Sequence, residues 1–394
     1  MRVPTLYTAQ RAFEAIEQRL GRQAQLQEQL GSGLRVTRPG DDPLAAAQAE
    51  LARSRLARLS QDQRANDLAT SLLSTAEGAL GQGVSLLQSA RELLVSAGNA
   101  AYGPAERQAL AVQLRSLREQ LLEVANASDG VGGRVFGGLA GAAPVATGDT
   151  PEWLSPAVAQ RIGEDGRYLA AVDGRSTFMA VPQGNGHFVT ASDPANTGSG
   201  WIDVGSLGQA GLLTAQNYRI EIGGTAGGLT YAVRNLDTGS LGPAQPLPAD
   251  GRLDIDGQRV AVAGTPAPGD AFSLGPAGRA SVFQVLQDAA QLLESPATSG
   301  AFQERLQRVQ ATLDRGLEGL SLLRSQVGGE LQRLESARSQ GQLEELSQAT
   351  RRSQLQDVDV AKAISELRTN ELGVEAALRS YASIGRVSLF EYLG

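Results

Sequence analysis

The sequence predicts an α+β chain: a long antiparallel helical bundle or coiled coil made by its N- and C-terminal segments, with a central all-β insert. Three observations lead there. Both ends of the 394-residue chain repeat apolar residues at steps of three and four. The middle holds more than half of the 47 glycines and most of the 16 prolines. That same middle is built of short alternating runs separated by turn dipeptides.

At the front, Leu6, Ala9, Phe13, Ile16 and Leu20 recur in a heptad-like frame that continues through polar positions to Leu30 and Leu34. This predicts a helix of about 25 residues, roughly 37 Å long. A second helix is expected from about Leu44 into the nineties. A third follows "NAAYGPAERQAL", where Pro104 suits the first turn, and runs to about Ala127. The middle runs include "GRYLAAV", "NYRIEIGG" and "LTYAVRN", and Asp256-Gly257 between "RLDI" and "QRVAVA" signals a tight hairpin. Helix returns with "SVFQVLQDAAQLLE" and continues in a long element from about Thr298 to about 350. In the last helix Val360, Ile364, Leu367, Val374, Leu378 and Tyr381 form a second stripe.

These zones divide the chain into terminal arms (1–42 and 350–394), a helical rod (43–135 and 281–349) and a β-rich domain (136–280). An isolated amphipathic helix is marginal in water, whereas fully burying one Leu-sized side chain is worth roughly 1.5–3 kcal/mol. The two arms are therefore expected to pair with each other and with copies from neighbouring subunits. Until they do, they are expected to be disordered in the monomer.

Composition narrows the chemistry. The net charge is −7, without a basic stripe for phosphates, so no nucleic-acid partner is expected. There is no cysteine, which removes disulfides, thiolate metal sites and cysteine nucleophiles. The one histidine, His187, sits in the Gly-rich "PQGNGHFVT", so no ordinary Ser-His-Asp relay is foreseen. "NAS" at Asn126 matches a glycosylation sequon of a kind common by chance. No run is long and apolar enough for a membrane helix, and the N-terminus lacks a cleavable secretory pattern. No catalytic residue, cofactor or metal is expected.

The stretch "LGSGLRVTRPGDDPLAAAQAE", Leu30 to Glu50, resembles a site at first sight. Its glycines lack the strand–glycine–helix context and the lysine of a phosphate loop, and adjacent Asp41 and Asp42 lack calcium-loop spacing. Each residue fits a hinge instead. Gly31 and Gly33 are suited to positive φ at a helix end. Pro39 keeps Arg38 out of helix, Asp42 is a good N-cap, and Pro43 fits the first helical turn. Arg35 and Arg38 are left to pair with Asp41, with a neighbouring subunit, or with solvent.

"LGSGLRVTRPGDDP" also resembles the N-terminal signature of the flagellin superfamily, and "LQDVDVAKAISELRTNELGVEAALRSYASIGRVSLFEYLG" is similar to that superfamily's C-terminus. "SLFEYL", Ser388 to Leu393, looks more like its hook-associated members than like filament flagellin. The resemblance covers the two helical ends and leaves the middle undiagnosed. It implies a structural protein of the bacterial flagellum, exported through the flagellar type III apparatus without a cleaved signal peptide and handed over by a cytoplasmic export chaperone. It implies a self-assembled ring between hook-associated protein 1 and flagellin, with the arms as the inner coiled-coil layer and the β domain facing outward. The assembly interface would comprise Leu6, Phe13, Ile16, Leu20, Leu30 and Leu34 at the front. At the back it would comprise Val360, Ile364, Leu367, Val374, Leu378, Tyr381, Leu389 and Phe390. Two alternatives stand beside this reading: filament flagellin itself, and a surface adhesin or enzyme domain carried on multimerising helices.

Overall fold

The computed structural model describes residues 3–99, 101–130, 133–137, 159–161, 167–169, 172–225, 227–295 and 299–393. Its helices are α1 (Val3–Ser32), α2 (Pro43–Ala97), α3 (Pro104–Ala125), the short α4 (Arg175–Phe178), α5 (Val282–Glu294), α6 (Ser299–Gln356) and α7 (Val360–Leu393). Strands fill the interval between α3 and α5, so the nesting expected from the sequence is the observed one. Pro104 does occupy the first turn of α3, and the Ser281 side chain caps α5 by accepting from the Phe283 N–H. The long element runs past its expected end near 350, to Gln356. The chain resolves into two compact units, residues 1–65 with 336–394, and residues 66–335.

In the larger unit the helical core is a heptad lattice. Leu73, Leu80, Leu87 and Leu94 on α2 are each essentially buried, as are Leu306, Leu313, Leu320, Val327 and Leu334 on α6. Spacing of seven in both rows keeps one seam facing its partner over several turns. The antiparallel register is pinned at one end by Asn66, whose side-chain amide donates to the Leu334 carbonyl at 2.9 Å. Along the seam Arg324 pairs with Glu77 at 2.7 Å, and Arg91 with Asp314 at 2.7 Å. Helix α3 lies against α5, with Arg115 donating to both oxygens of Glu294 at 2.7 and 2.5 Å. Beside them the Phe178 ring meets Phe136 edge-on, centroids 5.5 Å apart, and stacks on Phe283 at 6.0 Å.

Among the described residues, two antiparallel sheets enclose the core of the β domain, and Ala159–Arg161 with Arg167–Leu169 and Val181–Pro182 with Arg279–Ala280 form two further two-stranded pairs. The larger sheet has the strand order Phe188–Ser192, Ala271–Pro276, Tyr218–Thr225, Gly228–Asn235, Gln245–Pro246. The smaller contains Arg252–Ile255, Gln258–Ala263, Trp201–Ile202 and Ser206–Leu207. Alternation supplies the inner faces: Tyr218, Ile220 and Ile222 from one strand, Leu253 and Ile255 from another, with Phe188, Val260, Val262, Phe272 and Leu274. The expected hairpin is present, Ile255 pairing with Gln258 across Asp256 (φ 44°) and Gly257 (φ 79°). Positive φ at both central residues is what a two-residue turn of right-twisted strands demands. His187 is an exposed turn residue. Asn126 of the sequon is half-buried and donates to the Leu122 carbonyl at the end of α3.

Candidate functional site: the joint and the terminal helix pair

The smaller unit brings the two ends of the chain together. Helix α1 packs on α7 in antiparallel register, with Arg22 on Glu366 at 3.0 Å and the Asn370 amide donating to the Arg19 carbonyl at 2.7 Å. Ile16 and Leu26 are buried on α1, and Ala363 and Val374 on α7. Leu30 and Leu367 are partly covered. Phe13, Leu20, Val360, Ile364, Leu378 and Tyr381 are exposed at 40% or more, and so is Leu372 at 68%. The pair thus covers part of the predicted stripes and leaves the rest in water. Leu26, the most buried of the described residues of α1, lies off the predicted frame, which passes through polar positions there. The side chains of Leu6, Leu389 and Phe390 lie outside the described residues.

At the joint, the stop, spacer and start are all built, with corrections. Gly31 remains inside α1 and does not end it; the left-handed residue is Gly33 alone, at φ +73°. Leu34 lies beyond the helix and is not a continuation of its stripe. It bridges Asp357 in antiparallel fashion. Around it the Arg35 N–H donates to the Gln356 carbonyl at 2.7 Å, and the Val358 N–H to the Gly33 carbonyl at 3.0 Å. The spacer is therefore a short ribbon made with the α6–α7 link. Val36, just past it, is 5% exposed.

The two aspartates divide the work. One oxygen of Asp41 accepts from the Thr37 N–H (3.0 Å), the Thr37 hydroxyl (3.0 Å) and the Arg38 N–H (2.8 Å). Pro39 sits within the turn so closed. Asp42 caps α2 by accepting from the Ala45 N–H at 3.0 Å, and Pro43 begins that helix. The Arg38 N–H, followed by the Thr37 hydroxyl, holds the Asp41 carboxyl below the usual aspartate range. The Ala45 N–H, followed by the Arg35 guanidinium, does the same for Asp42.

The arginines find partners within the chain. Arg35 reaches Asp42 at 3.3 Å with one guanidinium nitrogen and the Leu355 carbonyl at 2.7 Å with the other. The Arg35 carbonyl is held in turn by the Gln29 amide at 2.8 Å. The Arg38 guanidinium pairs with Glu28 at 3.3 Å, while the Arg38 backbone N–H goes to Asp41. The far half of the joint went unread in the sequence. In "LQDVDVAKA", Asp359 caps α7 by accepting from the Lys362 N–H at 3.0 Å, and an Asp before an apolar helical run is the signal that marks it.

The ends of the chain thus form an antiparallel helix pair with a part-exposed apolar stripe, and a β domain is inserted between them in sequence. Residues 3–140 match the family described as the bacterial flagellin N-terminal helical region. It is similar to flagellar hook-associated protein 3 of Salmonella typhimurium, 36% identical over 138 residues, 35% of this chain and 44% of that protein. It is likewise similar to flagellar hook-associated protein 3 of Escherichia coli K12, 40% identical over 111 residues, 28% of this chain and 35% of that one. These alignments span less than half the length of either curated relative. Among solved structures, the flagellar junction protein FlgL from Legionella pneumophila aligns over its whole length and 79% of this chain, with a TM-score of 0.71 and 26% identity.

Proposed function

We propose that this chain is a structural hook–filament junction protein of a bacterial flagellum. It forms a ring between hook-associated protein 1 and the first flagellin subunits. The observation that carries the reading is the alignment of the FlgL structure over its whole length onto 79% of this chain. The apolar side chains that the terminal pair leaves exposed support it, because they are open to a protein partner.

In this reading the arms form the inner layer and the β domain the outer one. Phe13, Leu20, Val360, Ile364, Leu378 and Tyr381 await neighbouring subunits. Its role is assembly, not catalysis. It leaves the cell through the flagellar type III apparatus without a cleaved signal, with an export chaperone on its C-terminal region. Deleting the gene tests this. Cells should still build hooks, carry no filaments and release flagellin monomer into the medium. Normal filaments on the deletion strain would overturn the junction role, and loss of the hook itself would move the protein to an earlier step.

A further inference from the structure

The edge of the larger β-sheet is closed by a helix in place of a strand. Phe188–Ser192 is the last strand on that side, and its ladder with Ala271–Pro276 fixes which backbone groups point away from the sheet. The Asp193 N–H donates to the Ala271 carbonyl and the Ala277 N–H to the His187 carbonyl. Odd-numbered positions therefore face the ladder, and the peptide groups of Phe188, Thr190 and Ser192 face outward. An unprotected edge of this kind is a template for pairing with another chain.

Each of those outward positions is met by a side chain. The Ser192 N–H donates to both carboxylate oxygens of Glu304, at 3.0 and 3.2 Å, and its hydroxyl donates to the same carboxylate. The Thr190 carbonyl accepts from the Arg308 guanidinium at 2.7 Å. The Phe188 N–H donates to the Asn185 side chain at 3.0 Å. One turn further along α6, the Thr312 hydroxyl accepts from the Gly184 N–H at 3.0 Å while donating to the Arg308 carbonyl at 2.9 Å.

Geometry explains why a helix serves here. Positions 304, 308 and 312 lie on one helix face at steps of about 6 Å, and outward positions of a strand repeat every two residues, at about 6.7 Å. The two periods nearly match, so Glu304 and Arg308 meet the successive outward groups of Ser192 and Thr190, while Thr312 meets Gly184 just before the strand. Burial makes the match compulsory. Glu304 is 4% exposed and Thr312 5%, and a buried carboxylate without partners would be costly. Glu304 also has Arg308 beside it at 3.7 Å.

We infer that Glu304, Arg308 and Thr312 form a latch that seats the β domain on α6 and shuts its edge strand, Phe188–Ser192, against strand addition. The latch rests on this geometry alone and stands whether or not the chain is a junction protein. Glu304 acts as a positioning residue through the strand it holds.

Hydrogen exchange on the full-length chain tests it. Glu304→Ala should speed exchange of the Ser192 amide by at least about ten-fold, the loss expected for a hydrogen bond to a charged group. The Tyr218–Thr225 amides in the sheet interior should keep their rates. Glu304→Gln, which retains an acceptor, should restore most of the protection at Ser192. Should Glu304→Ala fail to fold, Arg308→Ala is the second variant, with the same local rise expected at Ser192. Unchanged exchange at Ser192, or an equal rise throughout the β domain, would overturn the latch. The first outcome denies the contact, and the second reduces these residues to general stabilisers.

Discussion

Gly31 and Gly33 stand two positions apart and make opposite demands on the backbone. Gly31 is helical, and a Cβ added there would meet nothing within 4 Å. Gly33 has open space too, but its φ of +73° is strained for any residue with a Cβ. Gly31→Ala should therefore stabilise α1 by about 0.5–1 kcal/mol, and Gly33→Ala should destabilise the joint by about 1 kcal/mol. Thermal unfolding of the two variants side by side measures the difference. The carboxylates next to them make a pH prediction. Asp41 and Asp42 are both depressed below the ordinary value of 3.8, so their contribution is fully present above that value. It is lost as pH falls through their lower folded values. In an NMR titration the Thr37, Arg38 and Ala45 amides should shift with midpoints below 3.8, and midpoints at or above it would contradict the capping roles. Much of this was legible, because Asp-Pro and Gly-Leu punctuation reports local backbone needs. The partners of Arg35 and Arg38 were not, since Leu355 lies 320 positions from Arg35 and no local rule reaches that far.

Among the elements, α2 and α6 carry the most regular pattern. Their heptad rows meet from Leu94 and Leu306 at one end to Asn66 and Leu334 at the other. Truncating a fully enclosed layer, as in Leu320→Ala, should cost about 2–5 kcal/mol, measured by denaturant unfolding with an unchanged m-value. The strands were readable where alternation and turn chemistry coincide, as at Arg252–Ile255, Asp256-Gly257 and Gln258–Ala263. The latch on α6 was not, because Glu304, Arg308 and Thr312 have the spacing of any solvated helix face. Only the strand packed there gives them partners. The stripes of α1 and α7 were read in part. Periodicity found Ile16 and Val374, which are buried, but it could not tell them from Leu20 or Leu378, which are exposed.

At the scale of the whole molecule, the exposed members of those stripes separate folding from assembly. Leu378 is half exposed, so placing a charge there disturbs little within one chain while opposing any apolar contact with a neighbour. Leu378→Asp should leave the β domain and the α2–α6 lattice folded, as read by circular dichroism and thermal unfolding, yet abolish filament attachment in cells. Normal attachment would remove Leu378 from the interface. The same reasoning predicts weak protection of the arms in dilute monomer. Exchange across residues 6–30 and 360–381 should be fast compared with residues 73–94, and should slow on assembly. Strong protection in dilute monomer would mean that the α1–α7 pair is stable alone.

The ribbon between Leu34 and Asp357 has a consequence in time. Arg35 and the Leu355 carbonyl it grips are 320 positions apart, and a ribosome adding about 5–20 residues per second needs on the order of tens of seconds to cover that interval. Through all of it the first helix has been made and its mate has not, and the closing strand of the ribbon arrives only with Gln356 to Val358. Completion of the joint is thus a record that synthesis has passed Val358.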